Sequence, residues 1–166
     1  MRLIFYILLT GFILSNDIDS YNQNLQFKAP GFYSRTIEGK NFFLSDQLGK
    51  NRNIFLSFFA TWCLPCKKEI PILDSLSKVY TNTDFYLVNV SEKYDKVKKF
   101  KDYMNISVPI LMDKYGQVAE KYNAMALPHS IMINSEGIII YNHIGFENGD
   151  EKKLIKILEN AAQNEN

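Results

Sequence analysis

Cys63 and Cys66 are the only cysteines in the 166-residue chain, and two residues separate them where an apolar run gives way to an amphipathic one. The run 53–59, NIFLSFF, is broken only by Ser57, which suits a strand buried on both faces. Beyond the short loop Ala60-Thr61-Trp62, apolar residues recur at Ile70, Leu73, Leu76 and Val79, the spacing of a helix's buried stripe. A two-residue gap at a helix N-terminus puts both sulfurs on one turn, close enough to bond if the local geometry allows it. The first N–H groups of a helix lack partners and its dipole is positive there, so a thiolate is favoured at this place. Cys63, at the junction of loop and helix, is the better nucleophile. Cys66, one turn in and partly shielded, suits the resolution of a mixed disulfide. Pro65 is tolerated in a first helical turn and stiffens it. Pro71 falls deeper, cannot donate to the carbonyl of Lys67, and predicts a kink. The competing readings of the pair are two inert buried thiols and half of a zinc site. A structural zinc site takes about four protein ligands, and His129 and His143 stand at no motif spacing from the cysteines, so no metal is expected.

The rest of the chain extends this into an alternating pattern. A turn at Glu38-Gly39-Lys40 separates two short extended segments, 32–37 and 41–44, and Ser45-Asp46 offers cap chemistry for a turn ending near Gly49. The segment 84–90 reads as a second buried strand, 93–104 as a helix, 108–112 as a short strand and 117–122 as a short helix. Residues 130–133 and 137–143 flank the hairpin turn Asn134-Ser135-Glu136-Gly137, and 150–162 is an amphipathic helix with Leu154, Ile155, Ile157 and Leu158 inward. A strand–helix–strand unit implies parallel strands with a right-handed crossover, and a closing hairpin makes the sheet mixed. The fold class is therefore α/β, a mixed central sheet with helices on both faces.

Composition narrows the function classes. With 46% hydrophobic residues and one domain's length, the chain is neither disordered nor a repeat array. A net charge of +1 argues against a nucleic-acid partner. The lysines at 93, 96, 98, 99 and 101 alternate with Glu92, Asp95 and Asp102, the pattern of a solvated face. No Gly-rich phosphate loop and no Ser–His–Asp grouping stands out.

The first residues read as a targeting signal. Arg2 precedes an apolar run from Leu3 to Leu14 interrupted by Thr10 and Gly11, the charged and hydrophobic regions of an export signal. The run is shorter than the roughly 20 residues of a membrane span. Its small-residue cleavage site is poor, so residues 1–19 are a cleaved signal peptide or a retained anchor, with a buried first strand as the competing reading. Residues 20–28 form a polar linker and 29–162 the globular domain. Export places the domain where disulfides persist.

The segment FFATWCLPCKKEIP resembles the active-site stretch of thioredoxin-like proteins, specifically the TlpA/ResA-type thiol–disulfide oxidoreductases. The resemblance continues through Ala29-Pro30-Gly31-Phe32, Leu127-Pro128 and Asn134-Ser135-Glu136-Gly137, over roughly residues 29–160. It implies a thioredoxin-like fold and a redox-active Cys63–Cys66 disulfide, with Trp62 and Pro65 beside it and no other cofactor. Glu69 lies three residues after Cys66, on the same helix face. A carboxylate there raises thiol pKa values by like-charge repulsion and can carry protons. The plain reading is an exposed first-turn glutamate, but in ResA-type relatives the matching residue is an active-site acid. Thioredoxins carry a buried Asp at the position of Ser57, which here is otherwise a hydroxyl in a buried strand. The proline matching Pro128 is cis in this fold and faces the cysteines, leaving the backbone of Leu127 open to a substrate strand. His129 stands where relatives commonly have Thr and is either a titrating neighbour of the thiols or a surface residue.

These readings converge on an exported, monomeric enzyme that reduces protein disulfides in the periplasm or another extracytoplasmic space. Apocytochrome c in cytochrome c maturation is the implied client and a membrane thiol carrier the electron donor. The alternatives are a disulfide oxidant, a peroxide reductase of the same fold, and a redox-inert binding module.

Overall fold

The computed structural model describes residues 27–163; the expected signal and most of the expected linker lie outside them. A two-stranded hairpin, β1 (Tyr33–Arg35) and β2 (Asn41–Phe43), precedes a single 3-10 turn at Leu44–Asp46. There follow β3 (Asn53–Phe59), α1 (Leu64–Val79), β4 (Thr83–Val90), α2 (Tyr94–Met104), β5 (Ile110–Asp113), α3 (Gln117–Lys121), β6 (His129–Ile133), β7 (Ile139–Ile144) and α4 (Asp150–Gln163). The main sheet has the order β5-β4-β3-β6-β7; β3 runs parallel to β4 and β4 to β5, while β6 is antiparallel to β3 and to β7.

Strand β3 is buried at all seven residues, as its unbroken apolar run requires, and alternation sends its side chains into two cores. Phe55 and Phe59 pack with α1, α2 and α4 through Ile70, Leu73, Val97, Phe100, Leu154 and Leu158. Ile54, Leu56 and Phe58 pack on the other face with Val118, Ala119 and Tyr122 and with Phe32, Phe42 and Leu44 of the hairpin region. In α4, Leu154 and Leu158 are the buried pair, with Ile155 and Ile157 half-buried beside them. Pro71 sits inside α1, which stays one uninterrupted helix. The hairpin also masks one sheet edge: Ile37 N donates to Ile110 O of β5 at 2.8 Å. The chain at Phe27–Ala29 covers the start of the other, where Ile139 N donates to Phe27 O at 2.9 Å.

Asp74 fastens α1 to the loop that leads into β5. Its Oδ1 accepts from Ser107 N at 2.6 Å, Ser107 Oγ at 2.8 Å and Val108 N at 3.0 Å, and its Oδ2 pairs with Lys78 at 2.7 Å. Burial works against ionisation, but these donors outweigh it and hold the carboxyl down at about 2. A depressed acid contributes stability above its unfolded pKa and loses it as pH falls through the folded value. Asp74→Ala is expected to cost about 1–2 kcal/mol at pH 7, because it strands backbone donors. In urea denaturation that difference from the parent protein should shrink as pH falls from about 4 towards 2.

Candidate active site

The loop Ala60–Trp62 leaves the C-terminal end of β3 and delivers Cys63 as the N-cap of α1, where its Sγ accepts from Cys66 N at 3.2 Å. Cys63 and Cys66 are joined in a disulfide, with their Cα atoms 5.3 Å apart. Cys66 is wholly buried and Cys63 retains 4% exposure, so what little of the pair reaches solvent belongs to Cys63. Around it the surface is apolar: Trp62 is 66% and Leu64 70% exposed, and Pro65 is exposed as well. Leu127 packs half-buried against the core that contains both cysteines, and the Leu127–Pro128 bond is cis.

Glu69 is not an exposed first-turn glutamate. It is 1% exposed, on the inner face of α1 one turn beyond Cys66. Its Oε2 accepts from Ser57 Oγ at 2.8 Å and its Oε1 from Ser130 Oγ at 2.6 Å. Ser57 and Ser130 are directly paired residues of β3 and β6, so their hydroxyls stand side by side on the face that α1 covers. The serine that read as a lone hydroxyl in a strand is therefore half of a seat for the acid. Its partner Ser130 went unremarked in the sequence, because only strand register brings the two together. Burial raises the Glu69 pKa above 4.5, and the two hydroxyl donors offset only part of that cost.

His129, next in sequence to Ser130, is turned by strand alternation to the opposite face. It is buried near Phe58, at 6.1 Å between ring centroids, and its Nε2 lies 2.6 Å from Asn142 Oδ1. The structure thus does not bring it to the Glu69 seat, and the surface reading fails as well.

Glu92 corrects the reading of the lysine-rich segment as a wholly solvated face. Its carboxylate is buried and accepts from Thr61 N at 2.6 Å, Thr61 Oγ1 at 2.8 Å, Asn89 Nδ2 at 2.8 Å and Lys96 Nζ at 2.7 Å. Burial opposes its charge, yet the donors, Lys96 foremost, hold it below the usual carboxylate range. It moors the loop that carries Trp62 and Cys63 to the end of β4. No local signal marks it out, because Thr61 reaches it only through the fold.

Comparison with known proteins accords with this geometry. The model of the AhpC/TSA family matches residues 25–142. The thioredoxin-like protein YneN of Bacillus subtilis is 36% identical over 124 residues, covering 71% of this chain and 70% of that protein. The thiol-disulfide oxidoreductase ResA of Bacillus cereus is 31% identical over 134 residues, 78% of this chain and 76% of its own length. The chain belongs to the AhpC/TSA family, among its ResA-like thiol–disulfide oxidoreductases. A crystal structure described as thiol:disulfide interchange protein DsbE from Chlorobium tepidum superposes with a TM-score of 0.76 at 26% identity, over 82% of this chain and 96% of the other. The fold is thioredoxin-like and the chain is an oxidoreductase whose redox group is a CxxC pair.

The raised Glu69 pKa carries a stability signature. The native protein holds this proton to higher pH than the unfolded chain does. Stability from this group is therefore greatest below about 4.5 and declines as pH rises from there to the native value. Glu69→Gln removes the ionisation, so the variant should gain stability relative to the parent as pH rises from 4 to 8. Urea midpoints taken at each pH check the slope, and a flat difference contradicts it.

Proposed function

We propose that the protein reduces disulfides of client proteins outside the cytoplasm, Cys63 attacking and Cys66 resolving. The observation that carries this reading is the placing of a buried Glu69, its pKa raised by that burial, on two serine hydroxyls one turn behind Cys66. When the pair is reduced, an ionised carboxyl at that place destabilises a nearby thiolate, and a protonated one is a ready acid. A less stable thiolate weakens the dithiol form relative to the disulfide, which makes the pair a better donor of electrons.

The cycle balances without a soluble cofactor. The Cys63 thiolate attacks one client sulfur, and a mixed disulfide forms as the client's other sulfur leaves as thiolate. The Cys66 thiolate then attacks Cys63 Sγ, closing the Cys63–Cys66 bond and releasing the second client thiolate, so two electrons have passed to the client. Cys66 gives up its proton to become the attacking thiolate, and the ionised form of Glu69 is the base beside it. Trp62, Leu64 and Pro65 offer the client apolar contact, and Leu127-Pro128 borders the same core. The likeness to ResA supports apocytochrome c cysteines as the client and a membrane thiol carrier as the donor that resets the pair. It also supports an extracytoplasmic location reached through the N-terminal segment. No helix among the described residues is long and apolar enough to cross a membrane. The protein acts as a monomer in this reading.

One feature favours the opposite direction: the N–H of Cys66 points at Cys63 Sγ, and the helix N-terminus stabilises a thiolate there. Measurement of the reduction potential against glutathione and thioredoxin decides between them. A value near the roughly −120 mV of a strong oxidant overturns the reductase reading; one at or below about −200 mV sustains it. In the same reading, Glu69→Gln lowers the titration midpoint of the active-site thiols in the reduced protein, as followed by thiolate absorbance.

Trapping tests the division of labour. Cys66→Ser should accumulate mixed disulfides with clients through Cys63, identified by mass spectrometry, and Cys63→Ser should abolish insulin reduction. Adducts that form only through Cys66 in the Cys63→Ser protein would invert the two roles.

A further inference from the structure

The seat of Glu69 does not end at Ser130. Ser130 is paired in register with His143 of β7, as it is with Ser57 of β3, so Ser57, Ser130 and His143 form one polar row across three strands. Directly opposed residues of an antiparallel pair point to the same face with their Cβ atoms about 5 Å apart. The row therefore lies on the face covered by α1 and α4. It is flanked by apolar rows, since Phe55 is opposite Met132 and Met132 opposite Tyr141. At its inner end the hydroxyls hold a carboxyl with 1% exposure; at its outer end the His143 side chain is 32% exposed. His143 Nε2 lies 3.4 Å from Asp150 Oδ2, at the first residue of α4. Asp150 also accepts from Glu147 N at 2.7 Å and from Lys153 Nζ at 2.7 Å.

We propose that His143 is a positioning residue for exchange at Cys63–Cys66: held at the rim by Asp150, its imidazole governs whether the buried Glu69 carries a proton, and so couples the active site to the pH outside. The inference rests on the reading that Glu69 acts on the thiols.

The groups facing Glu69 make the coupling specific. Ser57 and Ser130 are neutral donors, and Tyr141 on β7 keeps its proton, being pushed up to about 12 by burial and by the neighbouring carboxylates. From α4 comes Asp150, held ionised down to about 2 by Lys153, by the backbone of Glu147 and by His143. Lys153, exposed and cationic, pairs with Asp150 beyond it. Tyr141, Asp150 and Lys153 thus keep one charge state across the neutral range. The remaining member of the rim, His143, carries an imidazole, the side-chain type that changes charge near neutral pH. When it is neutral, Asp150 favours a protonated Glu69. When it takes a proton, the added positive charge favours an ionised Glu69, so the two sites hold their protons antagonistically. A charge on Glu69 likewise strengthens proton binding at His143, by the same factor.

The test is titration of the oxidised protein carrying carboxyl-13C glutamate, with the Glu69 resonance assigned by its loss in Glu69→Gln. In His143→Gln the Glu69 midpoint should rise by about half a pH unit or more, at least a threefold gain in proton affinity. In Glu69→Gln the His143 ring midpoint, read from its proton resonances, should fall by a matching amount, which gives a second measurement if His143→Gln does not fold. The pH profile of insulin reduction should shift in His143→Gln in the same direction as the Glu69 midpoint. The inference is overturned if the Glu69 and His143 midpoints are independent, or if they are coupled but the exchange profile does not move. Failure of the proposed function is a distinct outcome: unmutated protein that does not reduce disulfides, with the two titrations still linked.

Discussion

Strand β3 has no side open to water. It is hydrogen-bonded on both edges, to β4 and to β6, and its residues feed a core on each face. A polar side chain in an element so enclosed is costly unless partners wait for it. Ser57 is such a position, and the seat of the acid follows from it. The hydroxyl looks towards α1, where Glu69 comes down one turn past the buried cysteine, and across to β6, where register supplies Ser130. The acid is thus held by neutral donors in an otherwise apolar layer. Burial dominates over two hydroxyl contacts, and the pKa of the acid is raised.

Glu92, set less deeply, shows the opposite outcome. Its neighbours include a backbone N–H and the Lys96 ammonium, and charge-assisted bonds outweigh desolvation, so its carboxylate stays ionised. Two glutamates thus bracket the cysteine pair from different elements. One, behind the sulfurs, has its proton affinity raised by burial, and the other is an anion that moors the loop in front of them. The distinction lies both in depth and in the charge of the donors. A reversible sulfur–sulfur bond needs both, a rigid frame around Cys63 and Cys66 and a group nearby that can exchange a proton.

Much of this was legible from the chain. The apolar run of β3, the stripe of α1, the crossover strands and the closing hairpin follow from periodicity and turn chemistry, because those signals are local and strong. The Cys63-Leu64-Pro65-Cys66 junction was legible for the same reason, since strand, loop and helix all lie within a few residues of it. Glu69 was placed on the right helix face by its spacing from Cys66, but its burial was not, because a helix stripe does not say how deep its flank lies. Glu92 was misread with its neighbours, since a charge among lysines looks solvated until β4 and the loop at Thr61 close over it. His129 read equally well as a neighbour of the thiols or as a surface residue, and the parity of β6 turned it towards Phe58 instead.

The order of elements, the pairing-competent cysteines and the residue types at the site were determined by sequence alone, because backbone propensity, side-chain period and covalent spacing act within a few residues. Only the tertiary structure decided which hydroxyls face Glu69, which carboxylates keep their charge and that His143 stands in line with Ser57 and Ser130. Those depend on the register between strands distant in the chain, and register is settled by the packing of two whole cores.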